Sequence, residues 1–227
     1  DPARGVIVRD AASGEPTGLL LEEACHAVYR AIPAATDEEY RRHIVAGLAD
    51  FAEHGFVEVH DMMSTPRMAR MLLELERAGE LDMDVRLYAT REHFDEMASE
   101  ARGWRSQRVR LCGLKIFTDG TLNSRTAHML HPFADPLPGY PCGKALMSGA
   151  EIEEAVRHAD RLGYPIAAHA IGDGAVRATL DAIERARPTA LGQRIEHAQF
   201  VDEADVPRFA ALGVIASVQP CHLLTDI

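Results

Sequence analysis

Three side chains have the types and spacing to do chemistry together: Lys115, His169 and His197. His169 closes the run Tyr164-Pro-Ile-Ala-Ala-His, and His197 closes Gln193-Arg-Ile-Glu-His. Between them Val176, Leu180 and Ile183 recur at three- and four-residue steps, the period of one helix face. The unit reads strand, helix, strand, with an imidazole at the C-terminal end of each strand. In a parallel α/β sheet that is the end where ligands bind. Two imidazoles delivered there from neighbouring strands can share a metal ion, and imidazole suits zinc, iron or nickel. A single strand-end histidine is more often a hydrogen-bonded structural residue. The repetition one βα unit later is what favours a ligand pair.

Lys115 lies in Leu111-Cys-Gly-Leu-Lys-Ile-Phe-Thr118, an apolar run with strand character. Lysine is almost never fully buried unless paired. Two-residue alternation puts it on one face with Phe117 and Asp119, so it either pairs with Asp119 or snorkels to the rim. A second reading is chemical. Burial among Leu114, Ile116 and Phe117 depresses a lysine pKa, and such an amine can react with carbon dioxide. The resulting carbamate is an anionic oxygen ligand able to bridge two metal ions. In that reading Lys115, His169 and His197 come from three consecutive strands and converge on one point.

The elements that must position these groups alternate regularly. Strands are expected at Phe56–His60, Asp84–Ala89, Leu111–Thr118, Tyr164–His169, Gln193–His197 and Leu212–Gln219. Helices are expected from Thr36 to Glu53, with Ile44, Leu48 and Phe51 buried, then at Thr65–Ala78, Glu92–Arg102, Gly149–Leu162, Asp173–Arg187 and Ala204–Ala211. Thr36 and Glu39 have capping-box spacing. Strict alternation implies a parallel sheet. No dinucleotide or Walker fingerprint follows any strand. The fold class is therefore α/β: an incomplete (β/α)8 TIM-type barrel of about six consecutive parallel strands, since the full barrel usually needs ~250 residues. Residues 1–36 read as an irregular leader, turn-rich at Asp10–Gly18 and with a short helix at Leu19–Tyr29. Residues 37–227 read as one barrel domain. The Pro- and Gly-rich stretch Asp119–Ser148 is far longer than a routine βα connection, and such loops are usually functional.

The chain has 227 residues, 47% of them hydrophobic, and a net charge of −11. Acidic residues spread along the chain argue against a nucleic-acid partner, which needs a basic face. No apolar run approaches the ~20 residues of a membrane span, and the first residues do not resemble a secretory signal. Cys25, Cys112, Cys142 and Cys221 form no C-x-x-C pair. Reduced thiols and a cytoplasmic location are the expectation.

Several segments resemble one family. Leu114-Lys-Ile-Phe-Thr-Asp-Gly-Thr-Leu-Asn-Ser-Arg-Thr-Ala127 resembles the fourth-strand segment of the amidohydrolase superfamily, in the branch called amidohydrolase family 3. Ala168-His-Ala-Ile-Gly-Asp173 and Arg194-Ile-Glu-His-Ala-Gln199 look like its fifth- and sixth-strand segments. Ala216-Ser-Val-Gln-Pro-Cys-His222 is similar to the seventh, and Val57-Glu-Val-His-Asp-Met62 to the second. The resemblance covers nearly the whole chain. It implies a barrel whose metals are held by His-x-His on strand one, a carbamylated lysine on strand four, histidines on strands five and six, and an aspartate on strand eight. The residues that match are Lys115, His169 and His197. No His-x-His occurs in the sequence, and an eighth strand beyond His222 and the family's small β-sandwich domain are expected to be absent from it. The expectation is an internal fragment holding barrel strands two to seven.

What the resemblance implies is a metal-dependent hydrolase of a carbon–nitrogen, amide-like bond in a small molecule. The ion is expected to be zinc, one or two in the intact enzyme, with carbon dioxide consumed in carbamylation and no catalytic proton acceptor on this chain. Ester, lactone, phosphoester or deamination chemistry on the same site, or a non-catalytic barrel scaffold, are the alternatives. Asp119, Asp173 and His222 are candidate substrate contacts, as is Arg125. Asp173 equally suits a helix cap. Glu196 is expected to point away from the pocket and pair with Arg194, and Gln199 to support the ligands. His60 is a weaker candidate; His43, His54, His93 and His158 fall in helices as structural residues. The chain alone is expected to be hydrolytically silent and, through exposed strand edges, to form homo-oligomers.

Overall fold

The computed structural model of the chain describes residues 5–225. It falls into two compact units divided between Val45 and Ala46. The first unit carries an antiparallel hairpin, β1 (Gly5–Arg9) and β2 (Pro16–Glu22). The leader is thus a hairpin, not an irregular segment, and only His26–Tyr29 of the expected helix is α-helical (α1). Leu19-Leu-Leu has no period of its own, and cross-strand pairing decides it: Val6 lies opposite Leu21 and Ile7 opposite Leu20. Asp10 Oδ1 tightens the turn by accepting from Ala12 N at 3.0 Å and Ser13 N at 2.8 Å. Helix α2 (Asp37–Glu53) begins at the expected box, with Thr36 N donating to Glu39 Oε2 at 2.8 Å. Its buried face is narrower than expected: Ile44 is buried, whereas Phe51 is exposed.

The second unit is a half-barrel. Its strands are β3 (Glu58–Ser64), β4 (Asp84–Thr90), β5 (Val109–Phe117), β6 (Ile166–Ala170), β7 (Arg194–His197) and β8 (Ile215–Ser217). All six run parallel in chain order. Helices α3 (Pro66–Arg77), α4 (Phe94–Ala101), α5 (Gly149–Arg161), α6 (Asp173–Ala186) and α7 (Val206–Leu212) alternate with them, and α8 (His222–Thr225) follows β8. Capping chemistry sets the starts. Thr65 accepts from Met68 N ahead of Pro66, and Ser148 with Glu151 forms a reciprocal capping box. Met71, Leu72 and Leu75 on α3, and Ile152 and Val156 on α5, are buried, as helical spacing requires. Two strands differ from expectation. β3 starts after Phe56 and Val57, which are exposed, and β8 is only three residues long.

Register sorts the two sheet faces. Lys115 pairs with Ala167, and Ala167 with Arg194; Phe117 pairs with His169, His169 with Glu196, and Glu196 with Ser217. Side chains of in-register neighbours share a face. Lys115, Phe117, His169, Arg194 and Glu196 therefore lie on one side, while Leu114, Ile116, Ala168 and Ile195 fill the buried opposite face. Glu196 consequently stands beside His169 rather than turning away from it, contrary to the sequence expectation.

Candidate functional site

The two imidazoles come together at the C-terminal ends of β6 and β7. Their ring centroids are 4.7 Å apart and the rings meet edge to face. Alternation alone would send His197 to the opposite side from Glu196. The backbone overrides it: His197 has φ +73° and Ala198 φ +41°, left-handed values that few L residues adopt. This kink delivers both Glu196 and His197 to the site.

Each imidazole has one nitrogen fixed by a carbonyl oxygen. His169 Nε2 lies 3.0 Å from Gly120 O, and His197 Nδ1 lies 2.7 Å from Gln219 Oε1. A carbonyl only accepts, so these nitrogens carry the protons, leaving lone pairs on Nδ1 of His169 and Nε2 of His197. Burial lowers both pKa values, that of His169 to about 4. Both rings are therefore neutral at neutral pH. The third ring, His222, stacks on His197 at 6.1 Å.

Lys115 is 3% exposed, and its Nζ sits 4.7 Å from the centroid of Phe117, whose ring is 5.6 Å from that of His169. Burial pushes the amine down to about 8, opposed by the nearby Glu196 carboxylate and assisted by Arg194. Among the described residues no three His, Cys, Asp or Glu side chains close on a single point. Lys115 is close enough for its charge to lower the pKa of both rings, after burial, the main cause. Two neutral imidazoles with free lone pairs and an amine that can lose its proton are a donor set that fits a divalent metal.

Beneath them Arg194 crosses the concave face. It donates to Glu196 Oε1 at 2.6 Å, Ser217 Oγ at 3.0 Å, His60 Nδ1 at 3.2 Å and Tyr88 OH at 3.4 Å. His60, a weaker candidate for substrate contact, is held in this network, its Nε2 2.9 Å from Glu58 Oε1. The expected Arg194–Glu196 pair forms, but it faces inward.

The long loop after β5 is stitched to β6. Asp119, 1% exposed, accepts from Ile171 N at 3.1 Å through Oδ1 and from Gly172 N at 2.8 Å and His128 N at 2.9 Å through Oδ2. Its Oδ1 is 3.5 Å from His169 Nε2. Asp119, a candidate substrate contact in the sequence, thus holds backbone and faces His169. Gly172 is obligatory at this junction, because a Cβ there would stand 2.1 Å from His128 O. Asp173 begins α6 and accepts from Leu130 N at 2.8 Å. Arg125 pairs with Asp135 at the loop surface. The four helical histidines expected to be structural include His158, 2.6 Å from Asp95 Oδ1.

Sequence reasoning missed Gln219, which lies two residues past β8 and holds His197 Nδ1 through its Oε1. It also missed the inward Glu196. Paired Arg194 and Glu196 on one face of β7 were legible; the kink that lets His197 join them was not.

A parallel α/β half-barrel with its imidazoles and lysine toward the C-terminal ends of consecutive strands belongs to the TIM-type class of folds. The amidohydrolase family pattern matches residues 1–227, and the chain belongs to that family. YtcJ of Bacillus subtilis (strain 168) is 30% identical over 234 residues, covering 100% of this chain and 43% of YtcJ. The N-substituted formamide deformylase of Arthrobacter pascens is 26% identical, covering 97% of this chain and 42% of its own length. Among solved structures, an uncharacterized metal-dependent hydrolase from Pyrococcus horikoshii OT3 aligns with TM-score 0.80 and 31% identity, covering 97% of this chain and 45% of that one. The chain spans less than half the length of these relatives. No helix of the described residues is long and apolar enough to cross a membrane, and all four cysteines are free thiols.

Proposed function

We propose that this chain carries the metal-binding core of a hydrolase that cleaves the carbon–nitrogen bond of a small, non-peptide amide. The observation that carries the reading is the pair of neutral imidazoles 4.7 Å apart, each with one nitrogen committed to a carbonyl and the other free. Second partners of this kind orient metal-binding histidines and fix their tautomers. His169 through Nδ1, His197 through Nε2 and Lys115 would hold the ion. The formamide deformylase among the relatives supports a carbon–nitrogen bond as the target.

A divalent metal held there, zinc first, would supply Lewis acidity, lowering the pKa of a water and polarising the substrate carbonyl. The remaining work belongs to the chain. Gly120 O and Gln219 Oε1 keep the imidazole protons on the far nitrogens. Burial keeps both rings from protonating, so neither lone pair is lost to a proton above mildly acidic pH. Lys115, lowered to about 8, has a free-base fraction at neutral pH. Its nitrogen can attack the carbon of carbon dioxide, forming an N–C bond and releasing one proton to water. The product is an anionic carbamate suited to a cation. His222 and Asp173 border the same rim and are assigned to substrate contact.

The test is hydrolysis of a panel of N-acyl and formamide compounds by the zinc-loaded full-length protein. Turnover that disappears in His169→Ala supports the reading. Turnover that survives it, or hydrolysis of esters alone, overturns it.

A further inference from the structure

A cavity of about 600 Å³ lies between the long loop and the starts of the segments after β6 and β7. Its walls include Leu122, Met129, Phe133 and Phe200 together with the polar Asn123 and His131, and the charged Arg125, Asp135 and Asp173 stand among them. Three walls begin within a few residues of the site. Leu122 follows Gly120, whose carbonyl holds His169; Asp173 follows His169; Phe200 follows His197.

The walls are fixed by backbone hydrogen bonds. Phe200 N donates to Ile171 O at 2.9 Å, Met129 N to Cys142 O at 2.9 Å and Phe133 N to Pro141 O at 2.9 Å. A cavity held this way is preformed, and its size falls in the ordinary range for small-molecule sites. Its charges are already engaged: Arg125 pairs with Asp135, and Asp173 Oδ1 accepts from Leu130 N and Gly174 N. Beside those engaged charges the walls offer the apolar and aromatic surfaces of Leu122, Met129, Phe133 and Phe200, with Asn123 and His131 as the polar contacts.

Resting on the amide-hydrolase reading, we propose that this cavity is the specificity pocket for the substrate's side group. It takes an uncharged apolar substituent of several carbons, aryl or branched alkyl, carried by the amide whose carbonyl faces the imidazoles. Apolar burial strengthens binding about fourfold per methylene. A substrate that fills the cavity is therefore selected over its methyl homologue.

The probes are butanone and 4-phenylbutan-2-one, which keep the carbonyl and lack a hydrolysable bond. Their binding to the full-length protein is measured by calorimetry for wild type, Leu122→Trp and Phe200→Ala. Leu122→Trp fills the cavity; Phe200→Ala removes one exposed wall and provides a variant with little folding risk. The phenyl ketone is expected to bind at least about tenfold more tightly than butanone in wild type. That advantage should vanish in Leu122→Trp and fall several-fold in Phe200→Ala, with butanone unchanged. Equal affinities in wild type, or an advantage preserved in both variants, overturns the proposal. If the advantage is found but no amide is hydrolysed, the pocket stands and the amide reading falls. If amides are hydrolysed at rates indifferent to the side group, the reading stands and the pocket falls.

Discussion

Replacing Asp119 should loosen the loop that carries Gly120 and thereby His169. Its carboxylate is the acceptor for three backbone N–H groups, two of them in buried bonds at Ile171 and Gly172. Stranding a buried donor costs about 1–3 kcal/mol. Asp119→Ala removes the acceptor for all three; at the low end of that range, because water can enter the vacated space, the loss is about 3 kcal/mol. Asp119→Asn differs. With its oxygen turned to the Oδ2 position it keeps His128 N and Gly172 N and loses only Ile171 N, costing about 1–2 kcal/mol. Native-state hydrogen exchange of the peptide covering β6 and Gly172 reads this locally. At 1.4 kcal/mol per tenfold, exchange of the Ile171 and Gly172 amides should accelerate about a hundredfold in Asp119→Ala and about tenfold in Asp119→Asn. Unchanged protection in Asp119→Ala, or equal effects of the two variants, would refute the reasoning.

Gly172→Ala forces a Cβ to within 2.1 Å of His128 O; overpacking costs about 1–3 kcal/mol, and limited proteolysis of the loop between residues 120 and 145 should speed up, an unchanged cleavage rate arguing against the close packing. Ala198→Gly relieves a left-handed φ of +41° and should raise stability by roughly 0.5–1 kcal/mol, seen as a higher Tm; a lower Tm contradicts the strain. At Glu76 burial raises the carboxyl, but hydrogen bonds from Ser106, Gln107 N and Arg108 N outweigh it and hold the pKa below its ordinary 4.5. The stability it contributes is present above about pH 4.5 and is lost as pH falls through its lower folded value. Urea midpoints taken down an acid series should therefore drop less steeply in Glu76→Gln than in wild type; parallel curves contradict this.

The sheet was legible because its signals are local and redundant. Strand and helix alternate six times, with side-chain caps at Thr65 and Ser148 marking two of the helix starts, and that repetition leaves few topologies. The hairpin before it was not, because Leu19–Leu21 has no period, and only pairing with Val6 and Ile7 makes it a strand. At the site, Lys115, His169 and His197 were visible as strand-end chemistry. Period-two reasoning then failed at one residue: the positive φ at His197 puts two successive side chains on the same side. The hydrogen-bonding roles of Gln219 and Asp119 were not foreseen for a related reason. Their roles come from long-range bonds, to His197 across 22 residues and to Ile171 and Gly172 across 52 and 53, and no local pattern announces these.

The central claim is that Lys115, His169 and His197 hold one metal site. Its most direct measurement is the zinc affinity of the full-length protein, by competition with a chelating indicator, for wild type, Lys115→Ala, His169→Ala and His197→Ala. Loss of a ligand should weaken binding by about tenfold or more in each variant, given that even supporting partners are worth 10–100-fold. Wild-type affinity retained in either histidine variant would contradict the account.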